Sequence, residues 1–173
     1  MKLKNIFSAF VRLTMVSAVV VMTASCGSKL DSYFASGEEL AVQQGVSLAT
    51  GAEYENFVFK GQALTQEGAE AAILFHSDGE SGYEITIRNG AQDGSIKTGS
   101  LRSVRNLYRS LAVDGEWFDF EVAVRGKNVA VKINGVDVVC YTEPEKPYRE
   151  AAHATKLIGK GKVAVKGVQG DVR

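Results

Sequence analysis

The chain has 173 residues with 20 basic and 20 acidic side chains, so its formal charge is zero, and it contains only two cysteines. A balanced charge argues against a nucleic-acid binder, whose affinity rests mainly on neutralising phosphates. Two cysteines are too few for a disulfide-stapled scaffold, so stability must come from a hydrophobic core.

The first 25 residues stand apart. Lys2, Lys4 and Arg12 are their only charges, and Leu13 to Met22 (LTMVSAVVVM) is apolar. That run falls short of the roughly 20 residues a membrane-spanning helix needs. A basic start, a short apolar middle and small residues at Thr23-Ala24-Ser25 predict an export signal. Cys26 follows directly, and small residues before a cysteine resemble a bacterial lipobox. Thr23 departs from the leucine usual three positions earlier, and an ordinary signal peptide with an incidental cysteine is the alternative. On the lipobox reading, Cys26 becomes a lipidated N-terminus and the acyl chains tether the protein to a membrane. Gly27, in place of the aspartate that retains lipoproteins at the inner membrane, points to the outer membrane. Cleavage removes three positive charges and no negative ones, leaving a formal charge of −3 on 148 residues. A chain of that size buries about 68–70% of its unfolded surface and is expected to form one domain.

Residues 26–37 (CGSKLDSYFASG) are small and polar and read as a tether, with the domain spanning 38–173. Strand signals dominate that domain. Glu39–Val42 and Val46–Leu48 flank a QQG turn; Tyr54–Lys60 is aromatic-rich; Ala71–Phe75 is an apolar run; Tyr83–Arg88 alternates with period two. Phe118, Phe120, Val122 and Val124 point one way, opposite Trp117, Asp119 and Glu121. Val129, Val131 and Ile133 repeat the pattern after a Gly126-Lys127-Asn128 turn. Asn134-Gly135 is a strong hairpin signal, and Val136–Tyr141 completes a meander in which Cys140 shares the parity of Val136 and Val138, predicting a small core residue. Lys162–Lys166 is a last strand. Helical signal is scarce: Leu101, Val104, Leu107 and Leu111 allow one short helix over 100–111, and Ala151–Ile158 allows another. The pattern predicts an all-β antiparallel sandwich with one or two short helices.

Four stretches, ILFHSDGESGYEITIRNG (73–90), GSIKTGSLRSVRNLYRS (94–110), DGEWFDFEVAVRGKNVAVKINGVDVVCYTEPEKPYR (114–149) and LIGKGKVAVKG (157–167), resemble the 3-keto-disaccharide hydrolase family. Its members share an apolar strand ending in Arg or His, a Tyr-Glu on the next strand, a Gly-Glu-Trp entry to a long strand and an Asn-Gly hairpin. The resemblance implies a concanavalin A-like jelly roll of exported bacterial proteins. Two departures are the absent aromatic-Asn-Gly opening before Tyr54 and the absent Gly-His near the end, where Val168 follows Gly167. The second departure implies either a domain shortened at its C-terminus, with an unpaired strand edge, or another segment that fills the gap.

The resemblance further implies action on a glycoside whose C3 hydroxyl has become a ketone. The ketone acidifies the neighbouring C–H, so a base can remove that proton and the glycosidic oxygen can leave; water added later completes net hydrolysis. Such a site needs a base and a positive or hydrogen-bonding group at the developing enolate oxygen. His76, at the end of an apolar strand, suits a base or a metal ligand by its ordinary pKa, and equally a surface histidine. Asp78 and Glu80 in the same loop could complete a divalent-metal site, or only make the turn; no motif for any other cofactor is present. Glu84 shares a strand face with Thr86 and Arg88, as acid/base and substrate contact or as a mutual ion pair. In RSVRNLYRS (102–110), Arg105, Asn106, Tyr108 and Arg109 offer donors and a ring to a sugar, or form a solvated helix face. Trp117 could stack on a pyranose or pack against a loop. The expected partners are a carbohydrate and, through lipid, a membrane.

Overall fold

The computed structural model describes residues 11–14, 30–31, 39–90 and 93–170. Cys26 lies outside the described residues. Two antiparallel sheets face each other. One has six strands in the order β2 (Glu39–Leu40), β1 (Val11–Thr14), β4 (Phe57–Ala63), β7 (Phe118–Arg125), β8 (Asn128–Ile133) and β9 (Val136–Thr142). The other has four, in the order β3 (Ser47–Ala49), β10 (Lys162–Gln169), β5 (Glu70–Ser77) and β6 (Tyr83–Ile87). The expected all-β sandwich is present, and its one described helical element of three residues or more is a 3-10 turn at Ala151–His153.

Alternation decides what each sheet buries. Phe118, Phe120, Val122 and Val124 on β7 and Val129, Val131 and Ile133 on β8 face Ile73 and Phe75 of β5, Ile85 of β6 and Val163 and Val165 of β10 in one core. Phe57, Phe75 and Tyr83 build its aromatic end: the Phe75 and Tyr83 rings stack at 5.1 Å, and Phe57 meets Phe75 edge-on at 5.8 Å. Burying each such ring contributes about 1.5–3 kcal/mol. The Asn134-Gly135 turn forms as expected, with φ 51° and 77° at the two positions.

The expected QQG turn forms, with the Val46 N–H donating to the Gln43 carbonyl at 3.0 Å, and it carries the chain from β2 in one sheet to β3 in the other. There the chain passes so close to β10 that a Cβ on Gly167 would lie 2.1 Å from the Gln43 carbonyl oxygen. Three local expectations change. No helix forms over 100–111. Ser103 has φ 66°, the Asn106 side chain accepts the Ser103 N–H (2.9 Å) and the Ser100 hydroxyl accepts the Leu107 N–H (2.8 Å), so side chains take bonds a helix would need. Cys140 is exposed, because β9 bulges at Val138: Val131 pairs with Val139 while Lys132 pairs with Asp137, which reverses the parity beyond. Finally, two residues of the expected tether dock on the domain. Leu30 is fully buried in the core, and Asp31 accepts the Gly51 N–H at 2.7 Å.

β1 falls inside the segment expected to be an export signal. Its backbone pairs with β2 (Val11 opposite Leu40) and with β4 (Val11 opposite Ala63 through Thr14 opposite Lys60). Among the described residues no helix is long and apolar enough to cross a membrane.

Candidate functional site

The outer face of the four-stranded sheet carries the densest chemistry. β5 and β6 pair with Ala71 opposite Ile87 and Leu74 opposite Glu84, so their outward rows run Glu70, Ala72, Leu74 and Glu84, Thr86, Arg88. Residues 98–102 then extend the ladder along the free edge of β6. The Thr98 N–H donates to the Arg88 carbonyl, the Thr86 N–H to the Ser100 carbonyl and the Arg102 N–H to the Glu84 carbonyl. This register sets Arg102 beside Glu84.

The result is a chain of alternating charges. Lys156 Nζ lies 4.0 Å from Glu84; Arg102 donates to Glu84 (3.0 Å) and to Glu70 (2.6 Å). Arg88 bridges Glu70 (3.1 Å) to Asp93 (3.0 Å), and Lys97 closes on Asp93 at 2.9 Å. Burial works against the charge of Arg102, and the two carboxylates outweigh it, so its pKa rises. Lys156 is the opposite case: burial lowers its pKa, and Glu84 offsets only part of this. Beneath the chain, the Thr86 hydroxyl is buried without a hydrogen-bond partner, the one such side-chain atom among the described residues.

His76 sits at the rim between the sheets, in contact with the Phe57 and Phe75 rings. Its Nδ1 accepts the Gly159 N–H at 3.1 Å, which leaves Nε2 protonated to donate to the Glu55 carbonyl at 2.9 Å. Burial lowers its pKa, against the opposing pull of the Glu55 carbonyl. Both nitrogens are therefore occupied by backbone. Close by, the Tyr83 hydroxyl donates to Glu143, Arg149 donates to the hydroxyls of Tyr83 (2.7 Å) and Tyr141 (2.9 Å), and Glu143 accepts the Ile158 N–H at 3.1 Å. Burial first, then the Glu143 bond, pushes the Tyr83 pKa far up. The Arg149 Nε–H bond to the Lys156 carbonyl (2.9 Å) fixes the segment that delivers both Lys156 and Gly159.

The residues singled out from the sequence divide among several places. Glu84 and Arg88 share the charged face, linked through Arg102 and Glu70. His76 lies at the Tyr83 end of the same strands, linked to that face through residues 156–159. Arg105 packs its guanidinium over the Tyr141 ring at 5.5 Å, and Asn106 builds the turn at Ser103. Tyr108 and Arg109 line a separate hollow with Gly90, Lys97 and Asp114. Trp117 is 39% exposed at the start of β7 and lines neither. Asp78 accepts the Glu80 and Ser81 N–H groups, and Glu80 pairs with Lys166 at 2.8 Å. Among the described residues no three His, Cys, Asp or Glu side chains converge as a metal ion needs. The sequence reading passed over Glu70, Lys156 and Arg149. Glu70 was recoverable from the hairpin register opposite Arg88; Lys156 and Arg149 arrive from an irregular segment with no periodic signal.

Two antiparallel sheets packed face to face, the smaller carrying a charged outer face, define a jelly-roll sandwich. Residues 23–173 match the 3-keto-α-glucoside-1,2-lyase-like domain, and the chain belongs to that family. Among solved structures, a candidate glycosyl hydrolase from Parabacteroides distasonis is similar over 76% of this chain and 72% of its own, with TM-score 0.64 and 17% identity. A second candidate glycosyl hydrolase from that organism gives TM-score 0.59 at 20% identity, over 75% and 78%. The carbohydrate-binding module CBM66 from Bacillus subtilis gives 0.52 at 11%, over 73% and 74%. These likenesses establish the sandwich. No curated protein matches the sequence.

Proposed function

We propose that this protein breaks glycosidic bonds in sugars carrying a ketone at C3, working on the outer face of the four-stranded sheet. The observation that carries the reading is Glu84 held between two cationic groups, Arg102 and Lys156. Glu84 takes the proton from the carbon between the ketone and the glycosidic carbon. The electron pair moves onto the ketone oxygen, and the Arg102 guanidinium stabilises that enolate. As the carbonyl re-forms, the glycosidic C–O bond breaks, leaving a carbon–carbon double bond, and the departing oxygen takes a proton from Lys156. Water then adds across the double bond. Burial lowers the pKa of Lys156, which makes its ammonium a readier proton donor. Arg102 must leave Glu84 as the substrate enters, and Thr86 supplies an unclaimed hydroxyl on the same face. His76, with both nitrogens engaged, is a positioning residue here.

The family membership and the likeness to carbohydrate-active folds support this chemistry and a carbohydrate partner. The proposed setting is the cell envelope, with export directed by residues 1–25, lipid on Cys26 and the outer membrane as destination. A non-catalytic carbohydrate-binding role on the same fold is the second reading, favoured by the pairing of each carboxylate on the charged face. Incubation with a 3-keto-glucoside separates the two. Turnover that Glu84→Gln lowers by about a hundredfold or more supports the elimination; binding without turnover by the unaltered protein supports the second reading.

A further inference from the structure

We propose that the hollow at the opposite end of β6 is a second, independent carbohydrate site that takes a neutral glycoside. It has a volume of about 370 Å³ and is lined by Gly90, Lys97, Tyr108, Arg109, Val113 and Asp114, among others. That volume falls within the range of small-molecule sites. The chain reaches it six residues beyond Glu84; none of its lining residues belongs to the Glu84–Arg102–Lys156 group, and Lys97, the far end of the charged chain, is the lining residue that the two places share.

Three features supply what a sugar ring needs. Tyr108 is 57% exposed and offers a ring for the C–H face of a pyranose. Arg109 makes no ion pair among the described residues, so its donors are free for hydroxyls. Asp114 is held from behind by the Thr65 hydroxyl on Oδ1, and its Oδ2 lies over the bare α-carbon of Gly90, 2.8 Å from where a Cβ would stand. With φ 85°, Gly90 favours the residue that leaves this space open.

The hollow is also built rather than incidental. Asn89 donates to the Thr65 hydroxyl (2.9 Å) and accepts from Thr98 (2.6 Å) and Ser110 (2.7 Å), and Ser110 in turn accepts the Ala112 N–H (2.9 Å). This buried network ties the strand end, the 98 segment and the 108–114 loop into one fixed frame, which limits the ordering cost of binding. Charge decides the ligand class. The Lys97 ammonium is already bonded to Asp93 and Ser95, and the Asp114 carboxylate faces the hollow. One guanidinium and one carboxylate oxygen, both without an ion pair among the described residues, line the same hollow; this fits alternating hydroxyl donors and acceptors and disfavours an anion.

The test is a saturation-transfer NMR titration of the full-length chain with methyl α-D-glucopyranoside, and in parallel with the methyl glucuronide. Tyr108→Ala and Arg109→Ala, both at exposed side chains, are each expected to weaken glucoside binding by about tenfold, while Glu84→Gln changes it by less than about twofold. The proposal is overturned by unchanged binding in both loop variants, by loss of binding in Glu84→Gln, by tighter binding of the glucuronide, or by no glucoside binding at all. Turnover of the 3-keto-glucoside reads the Glu84 proposal separately, so each site can fail alone.

Discussion

Both ring nitrogens of His76 serve backbone groups from segments far apart in sequence, Glu55 and Gly159. Protonating Nδ1 breaks the Gly159 bond and places a charge among Phe57 and Phe75, so the fold favours the neutral ring. The sign follows: with its folded pKa below the ordinary 6.5, His76 contributes stability that is fully present above pH 6.5 and declines as pH falls below it. Denaturant titrations across that range are expected to show this decline, and His76→Ala to remove it while lowering stability at neutral pH by about 2–3 kcal/mol. Thr86 presents the converse case. An unpartnered buried hydroxyl costs about 1–3 kcal/mol, so Thr86→Val is expected to raise the denaturation midpoint by an amount equivalent to about 1 kcal/mol. If the hydroxyl meets substrate, the same variant raises KM.

At the scale of elements, the segment from Arg149 to Gly159 behaves as a strap with its clasp at Arg149. That guanidinium holds two tyrosine hydroxyls, approaches Glu143 at 3.5 Å and stacks over both rings. Removing one partner of a buried charge pair costs about 3–5 kcal/mol. Arg149→Met is expected to destabilise by about that amount and to speed hydrogen exchange at the Ile158 and Gly159 amides first. Most strands were legible, because β7 and β8 alternate cleanly and Asn134-Gly135 announces its own turn. What periodicity could not convey were events that break period: the extra residue at Val138 that turned Cys140 outward, and the positive φ at Ser103 that replaced a helix by stacked turns. The charged face was half legible. Glu84 and Arg88 sit where strand parity puts them, whereas Arg102 arrives by an edge ladder and Lys156 by the strap, neither of which leaves a repeat in the sequence.

For the molecule as a whole, the expected leader and the sheet make competing claims on residues 11–14. As β1 they shield the edge of β4; as part of an export signal they would be cut away. In the chain isolated from membranes, mass spectrometry is expected to find an N-terminus at acylated Cys26, and hydrogen exchange along β4 to be faster than in a chain retaining residues 1–25. A membrane-associated chain that keeps its first 25 residues sinks the lipid anchor. Leu30 then acquires a meaning of its own. Were Cys26 acylated, with residue 30 locked inside the body, only three residues would separate lipid from core, a leash of about 14 Å at full stretch. Should that anchor exist, so short a mooring would hold the sandwich close to the bilayer and restrict its tumbling, leaving open to large ligands only the flanks that the membrane does not cover.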